Sequence, residues 1–325
     1  MDVRAPLSGV RRAHGGILNS PRIITAISCV VLSVLWTAVA SPALLSGSGS
    51  AQRPLVGQEQ TDAQLSGILG SSGNLRAVIG TPAALSEIPV LQPLLSDMAL
   101  GTPGVHLLEI PAPDGGQLVV MTLVAFSAQS GPRQDGYFVG HWPATTLAAR
   151  DPRYAAPAGF IPVTPENAST QVSKHFQLRD FLTHDQQAVW PKVLVLRPVL
   201  VDKLELIRAA LQRRGLPSVL HVMSGFRTPQ YNAQGVGAKG GRARDSRHMY
   251  GDAADVFVDA NADGVMDDLD GDGKSTVRDA RVLFAVAESV EAQHPNLVGG
   301  LSAYSGNGAH GPFVHVDARG ARARW

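Results

Sequence analysis

The chain has 325 residues, 44% of them hydrophobic, with 28 basic and 27 acidic residues and a formal charge of +1. Such a content supports buried cores and excludes a wholly disordered chain, and at roughly 100–200 residues per domain the length predicts two domains. The first forty residues hold Arg4, Arg11, Arg12 and Arg22 against Asp2, which leaves 24 basic and 26 acidic residues in the remainder; this composition offers no basic face to a general nucleic-acid binder.

In chain order, arginines precede an eighteen-residue apolar run from Ile23 to Ala40, which ends in the small-x-small pattern Ala38-Val39-Ala40. The run is also long enough to span a bilayer, with the arginines on the cytoplasmic side. Residues 1–40 therefore read as a signal peptide or as a retained signal anchor. Both readings export the rest of the chain to a periplasmic or extracytoplasmic location, with membrane contact only through this segment. The single cysteine, Cys29, lies within it, so the exported part forms no disulfide and no thiolate metal site. Metal ligands there must be His, Asp, Glu or backbone oxygen.

Residues 41–62, with Ser46-Gly47-Ser48-Gly49-Ser50, have linker composition. Strand patterns follow at Val105–Ile110, Leu118–Phe126 and Tyr137–Trp142, with Pro113-Asp114-Gly115-Gly116 as a turn. They predict a small β-rich module over 63–150 that carries no recognisable chemistry. A second proline-rich passage, 151–169, reads as a linker to a domain over 170–325. There the apolar spacing of Leu204, Ile207 and Leu211 predicts a helix over Leu200–Arg214, closed by Gly215. A buried strand at Val219–Met223, a helix over Asp279–Gln293 and a last strand at Phe313–Ala318 complete an α+β arrangement without βαβ alternation.

Chemistry-bearing residues concentrate in Ser246-Arg247-His248-Met249-Tyr250-Gly251-Asp252-Ala253-Ala254-Asp255. An imidazole and a carboxylate seven residues apart can face one cation if a turn at Gly251 precedes a strand at Ala254–Val258. Zinc accepts such nitrogen and oxygen ligands, and a catalytic site needs a third from the protein. His315, in Phe313-Val314-His315-Val316-Asp317, is the best candidate and His310 the fallback.

Ser246-x-His248-x-x-Gly251-x-Ala253-x-Asp255 resembles the S-x-H-x-x-G-x-A-x-D motif of the M15 zinc peptidases, the D-alanyl-D-alanine carboxypeptidases and murein endopeptidases with a hedgehog-type metal-binding fold. Ser224-Gly225-Phe226-Arg227-Thr228-Pro229-x-x-Asn232 is similar to the segment that precedes it in that family, and Gly311-Pro312-Phe313-Val314-His315-Val316-Asp317 to its closing strand. The resemblance implies His248, Asp255 and His315 as zinc ligands, with Arg227 near the substrate. Physically, Arg227 could bind a substrate carboxylate or a developing oxyanion through its planar fork. Ser246 is a further candidate for substrate contact, and Ser246 and Asp252 also suit turn or ligand-orienting roles. The family often carries an acid or a histidine just before the last ligand, and here those places hold Pro312 and Phe313. The general base is thus left to Asp317, about 6.6 Å along the strand from His315, or to His310, with a ligand-orienting role equally open to Asp317.

Between the motif and the last strand, Asp259-x-Asn261-x-Asp263-Gly264-x5-Asp270 and Asp268-x-Asp270-x-Asp272-Gly273-x5-Asp279 both match calcium-loop spacing. The two overlap, so the insertion 259–279 is expected to hold one structural Ca²⁺, with the second loop favoured. The whole sequence therefore predicts an exported monomer whose C-terminal zinc domain hydrolyses peptide bonds of peptidoglycan, as carboxypeptidase or endopeptidase. The alternative is a non-catalytic zinc- and calcium-containing domain that binds wall fragments or a protein partner.

Overall fold

The structure is a computed structural model that describes residues 67–92, 101–112, 114–126, 131–143, 145–237 and 240–325. The expected signal or anchor and the linker 41–62 lie outside the described residues. Among those described, no helix is long and apolar enough to cross a membrane.

The elements in order are β1 (Ala77–Gly80), α1 (Pro82–Ser86), β2 (Gly104–Pro111), β3 (Gln117–Thr122), β4 (Val124–Ala125), β5 (Arg133–Gln134), β6 (Tyr137–Phe138), α2 (Thr145–Arg150), β7 (Gly159–Val163) and β8 (Lys192–Leu194). They continue with α3 (Pro198–Arg213), β9 (Leu220–Ser224), α4 (Pro229–Ala233), β10 (Ala253–Val258), α5 (Val277–Gln293), β11 (Gly300–Tyr304), β12 (Phe313–Asp317) and β13 (Ala323–Arg324). Several sheets with few helices agree with the α+β expectation, and the strands and helices expected in the C-terminal half all form within a few residues of their expected ends.

The centre is a five-stranded sheet in the order β13-β11-β12-β10-β9, antiparallel except for the β11–β13 pair. Strand alternation divides its side chains. Ala254, Val256 and Val258 of β10, Val314 and Val316 of β12 and Leu301 of β11 are fully buried in the main core, with α3 (Leu200, Leu204, Ile207, Leu211) and α5 (Leu283, Val286, Ala287). These branched residues suit a pleated, covered surface. The opposite face carries Asp255 and Phe257, Phe313, His315 and Asp317, and Ser302 and Tyr304.

The passage read as a linker, 151–169, is corrected by the structure. It contains β7, whose Phe160, Ile161 and Val163 are buried and which pairs with β4 on one side and β8 on the other. The same main core holds Leu75, Ala77, Val119, Met121, Tyr137 and Val139 together with residues of the C-terminal half, and the described residues belong to one compact unit. Proline content suggested a break, but an apolar strand with unpaired backbone groups must find partners. Polar ties cross the same boundary. The Trp142 indole N–H donates to Met249 O at 2.9 Å, and the Tyr137 hydroxyl donates to Asp185 at 2.8 Å. A smaller cluster around Leu85, Leu91, Leu118 and Val120 lies on the other side of the sheet β1-β3-β2.

Candidate metal centre

The His248 turn is built by its neighbours. Residues Arg247–Tyr250 form a 3-10 turn with Ser246 as its N-cap and Gly251 as its C-cap. Gly251 sits at φ +70°, and a Cβ there would stand 2.4 Å from Val195 O, so both backbone conformation and close approach require glycine. Arg247 clamps the turn: its Nε donates to Asp252 Oδ1 at 3.0 Å and its Nη2 to Asp252 Oδ2, inside a site where Asp252 is 0% exposed. Its guanidinium also lies over the rings of Tyr154 and Tyr250. The chain then enters β10, which presents Asp255 opposite His315 of β12 and Ser224 of β9.

Three side chains meet there. His248 Nε2 lies 3.3 Å from His315 Nδ1 and 3.3 Å from Asp255 Oδ1, and His315 Nδ1 lies 3.0 Å from Asp255 Oδ1. The remaining atoms of each group are spoken for. His248 Nδ1 faces Gly225 O at 2.7 Å, and His315 Nε2 faces Asp317 Oδ2 at 3.2 Å. Carbonyl and carboxylate oxygens only accept, so these outer nitrogens carry protons, and in the neutral tautomer that a bound cation selects each imidazole would turn a lone pair inward. Two imidazole nitrogens and a carboxylate oxygen thus converge on one point. Bonds of about 2.0–2.1 Å in a tetrahedron put ligand atoms about 3.3 Å apart, which matches this triangle. The donor set therefore fits zinc.

Two of the three groups are already poised for a cation. His315 is the exception, since burial lowers it but Asp255 and Asp317 raise it above the ordinary histidine value, so its neutral form is the one a bound cation would impose. Burial lowers His248 below the ordinary histidine value and so favours its neutral form. Burial alone would raise Asp255, but His248, His315 and Arg227 hold it well below the usual carboxylate range. Arg227 supplies Nη2 to Asp255 Oδ2 and Nε to Ser224 Oγ at 2.9 Å. It is therefore fixed on the outer oxygen of the Asp255 carboxylate, and among the described residues its Nη1 has no hydrogen-bond partner.

Of the two readings of Asp317, the geometry favours the ligand-orienting one. Its carboxylate is fully buried, grips the His315 ring on the nitrogen remote from the triangle, and accepts from Gly300 N at 2.8 Å and from Arg319 Nε at 2.9 Å. Burial opposes its charge, yet His315 and Arg319 hold it far below the normal range. His310 lies on an exposed loop, between Asn307 and Gly311 O, with its ring edge on Phe313, and makes no contact with the triangle. A cleft of about 710 Å³ that includes His310, His221 and Phe257 runs beside the centre without being lined by any of its three residues. The triangle, rather than that cleft, is the candidate centre. Ser246 shapes the turn as its N-cap residue, and its side chain makes no capping hydrogen bond. An Asp317→Ala substitution is expected to weaken zinc affinity about 10–100-fold by freeing the His315 ring, which competition with a colorimetric chelator measures; unchanged affinity would refute this role.

The calcium expectation finds no support. Asp279, the twelfth residue of the second loop, instead closes a capping box with Thr276 at the start of α5 and accepts from Leu269 N at 2.8 Å and Thr276 N at 2.7 Å. Arg278 pairs with Asp270 at 2.8 Å and Asp272 at 3.0 Å. Asp268 spends its carboxylate on the backbone N–H groups of Gly271, Asp272 and Gly273. In the first loop, Asp259 accepts from Asp263 N and Gly264 N, Asn261 from Asp263 N, and Asp263 from Val265 N. Asp268, Asp270 and Asp279 do approach one another, but as an acidic turn already satisfied by donors of the chain.

Residues missed in the sequence are those that brace the centre. They include Arg247, Gly225, Arg319 and the fully buried Lys203, whose ammonium bonds Glu291 at 2.5 Å and the Asp317 carbonyl at 2.6 Å. No spacing rule points to Lys203, which lies 114 positions from the carbonyl it holds.

The family model described as Peptidase M15 matches residues 174–269. No curated protein and no solved structure matches the chain. The matched span contains His248 and Asp255, and strand pairing beyond it brings His315 to them. Residues 174–269 of this chain are thus similar to the M15 peptidases, a family that is zinc-dependent.

Proposed function

We propose that the protein is a zinc-dependent peptidase that hydrolyses peptide bonds in peptidoglycan stem peptides or their cross-links, as a DD-carboxypeptidase or a murein endopeptidase. The observation that carries the reading is the triangle of His248, Asp255 and His315, whose nitrogen and oxygen atoms converge at the spacing of a tetrahedral zinc face. Zinc bound there would supply Lewis-acid polarisation of the scissile carbonyl and activation of water. Arg227 holds Asp255 in its ionised form and offers Nη1 to an oxygen of the substrate. Asp317 and Gly225 keep both imidazoles in the tautomer that turns a lone pair inward. Export by residues 1–40 would bring this centre to the cell wall, and a monomer suffices because all three ligands come from one chain.

Metal analysis of the full chain, paired with digestion of purified peptidoglycan, tests the proposal. Stoichiometric zinc and released stem-peptide fragments are expected, with both lost in His248→Ala, and the product masses separate terminal trimming from cross-link cutting. Zinc without cleavage would favour the binding-domain reading, which the engagement of Asp317 and His310 away from the triangle supports. Absence of zinc would refute both.

A further inference from the structure

The face of the sheet that bears the metal centre continues into a set of aromatic rings that the ligand geometry does not use. Register places Ser302 opposite His315 and Tyr304 opposite Phe313, so Tyr304 and Phe313 share a face with the ligand. Their rings stack at 4.8 Å and 12°. Trp325 follows β13, its carbonyl held by Ser302 Oγ at 2.5 Å, and its ring lies 5.3 Å from that of His315. The indole N–H donates to Tyr304 OH at 2.5 Å, which ties the two rings into one surface. That surface is open: Trp325 is 57% and Tyr304 36% exposed.

Exposed aromatic faces beside a reaction centre cost hydration free energy unless a ligand covers them. The shape of this patch restricts that ligand. It is a shelf rather than a pocket, which disfavours a short aliphatic side chain. Arg319 already stands 5.6 Å from the indole centroid, which disfavours a second cation. Flat carbon faces edged by a hydroxyl, an indole N–H and a guanidinium suit a ring with an apolar face and a hydroxylated rim. We propose that Trp325 and Tyr304 form a sugar-binding subsite, which stacks a pyranose of the glycan strand and so delivers the attached stem peptide to the His248–Asp255–His315 centre. The assignment rests on the peptidoglycan reading above, and it adds that glycan-borne peptides are preferred to free ones.

Two measurements on the full chain test it. N-acetylglucosamine oligomers, titrated calorimetrically, are expected to bind the wild type and to lose about tenfold or more in affinity to Trp325→Ala and to Tyr304→Leu, the scale of one stacked ring. Thermal melts confirm that the variants fold. In hydrolysis, a disaccharide-bearing stem peptide is expected to show a KM about tenfold below that of the same peptide without sugar, and both substitutions should narrow that ratio. No oligomer binding by the wild type, or binding unaffected by both substitutions, would overturn the subsite. Equal KM values for the two substrates in the wild type would do the same. Cleavage of neither substrate would remove the peptidase reading alone, because the titration still decides the shelf. Binding of sugar-free peptide that depends on Trp325 would assign the shelf to peptide and overturn the proposal.

Discussion

Asp255→Asn is expected to empty the metal centre and abolish hydrolysis, although the two side chains have nearly the same shape. Oδ1 is one corner of the ligand triangle, and Oδ2 accepts from Arg227. Turned with its NH₂ to the imidazoles, an asparagine keeps its oxygen on Arg227 but offers the metal no lone pair; turned the other way, it sets a donor against the guanidinium. The substitution also removes the negative charge that balances a divalent cation and the buried Arg227. The loss should therefore exceed the ~10–100-fold that follows removal of an outer partner. Metal content after dialysis, together with peptidoglycan turnover, reads the effect, and a thermal melt shows that the fold persists. Retention of stoichiometric zinc would mean that Asp255 is not a ligand.

The second large effect concerns stability. Arg247→Met leaves Asp252 fully buried, with Arg197 at 3.3 Å as its remaining cationic partner. Breaking a buried pair from one side costs about 3–5 kcal/mol, which for a unit of this size lowers Tm by roughly 10 °C. The double variant Arg247→Met/Asp252→Leu removes both charges and is expected to recover most of that loss. Denaturant and thermal unfolding of the three proteins provide the cycle. A single variant within about 1 kcal/mol of wild type would show that the pair is not what holds the turn. Because the same turn carries His248, the single variant should also bind zinc more weakly than the double one.

Much of the centre was legible before folding was considered. His248 and Asp255 lie seven positions apart around Gly251, and a turn with a glycine in the left-handed region followed by a strand is a local event. His315 sits in an alternating apolar strand, where the side on which it emerges follows from the period of two. The role of Asp317 was not legible. Two residues along a strand it could equally reach the substrate side or the back of the ring, and only the side-chain torsions of His315 decide between them. Asp279 is ambiguous in the sequence for a related reason. A Thr-x-x-Asp box and the last acid of a calcium loop use the same residue type at the start of a helix, and in the structure Asp279 closes the box with Thr276 while also lying near Asp268 and Asp270.

By itself, then, the sequence determined the local elements: the helix over α3 by its apolar spacing and Gly215, the strands by alternation, the turn by Gly251, and which side chains are candidates to hold a metal. Those properties depend on neighbours within a turn or a strand, where a few bonds and residue preferences dominate. Tertiary structure alone decided that 151–169 joins the core through β7, that Lys203 reaches the Asp317 carbonyl, and that Trp325 comes to lie beside His315. These are contacts across tens to more than a hundred positions, and they are chosen by which apolar faces and unpaired backbone groups can be satisfied together. The ligand triangle spans both regimes. Its residue types are written in the chain, but its 3.0–3.3 Å spacing exists only because β10 and β12 pair in one register and set Asp255 opposite His315.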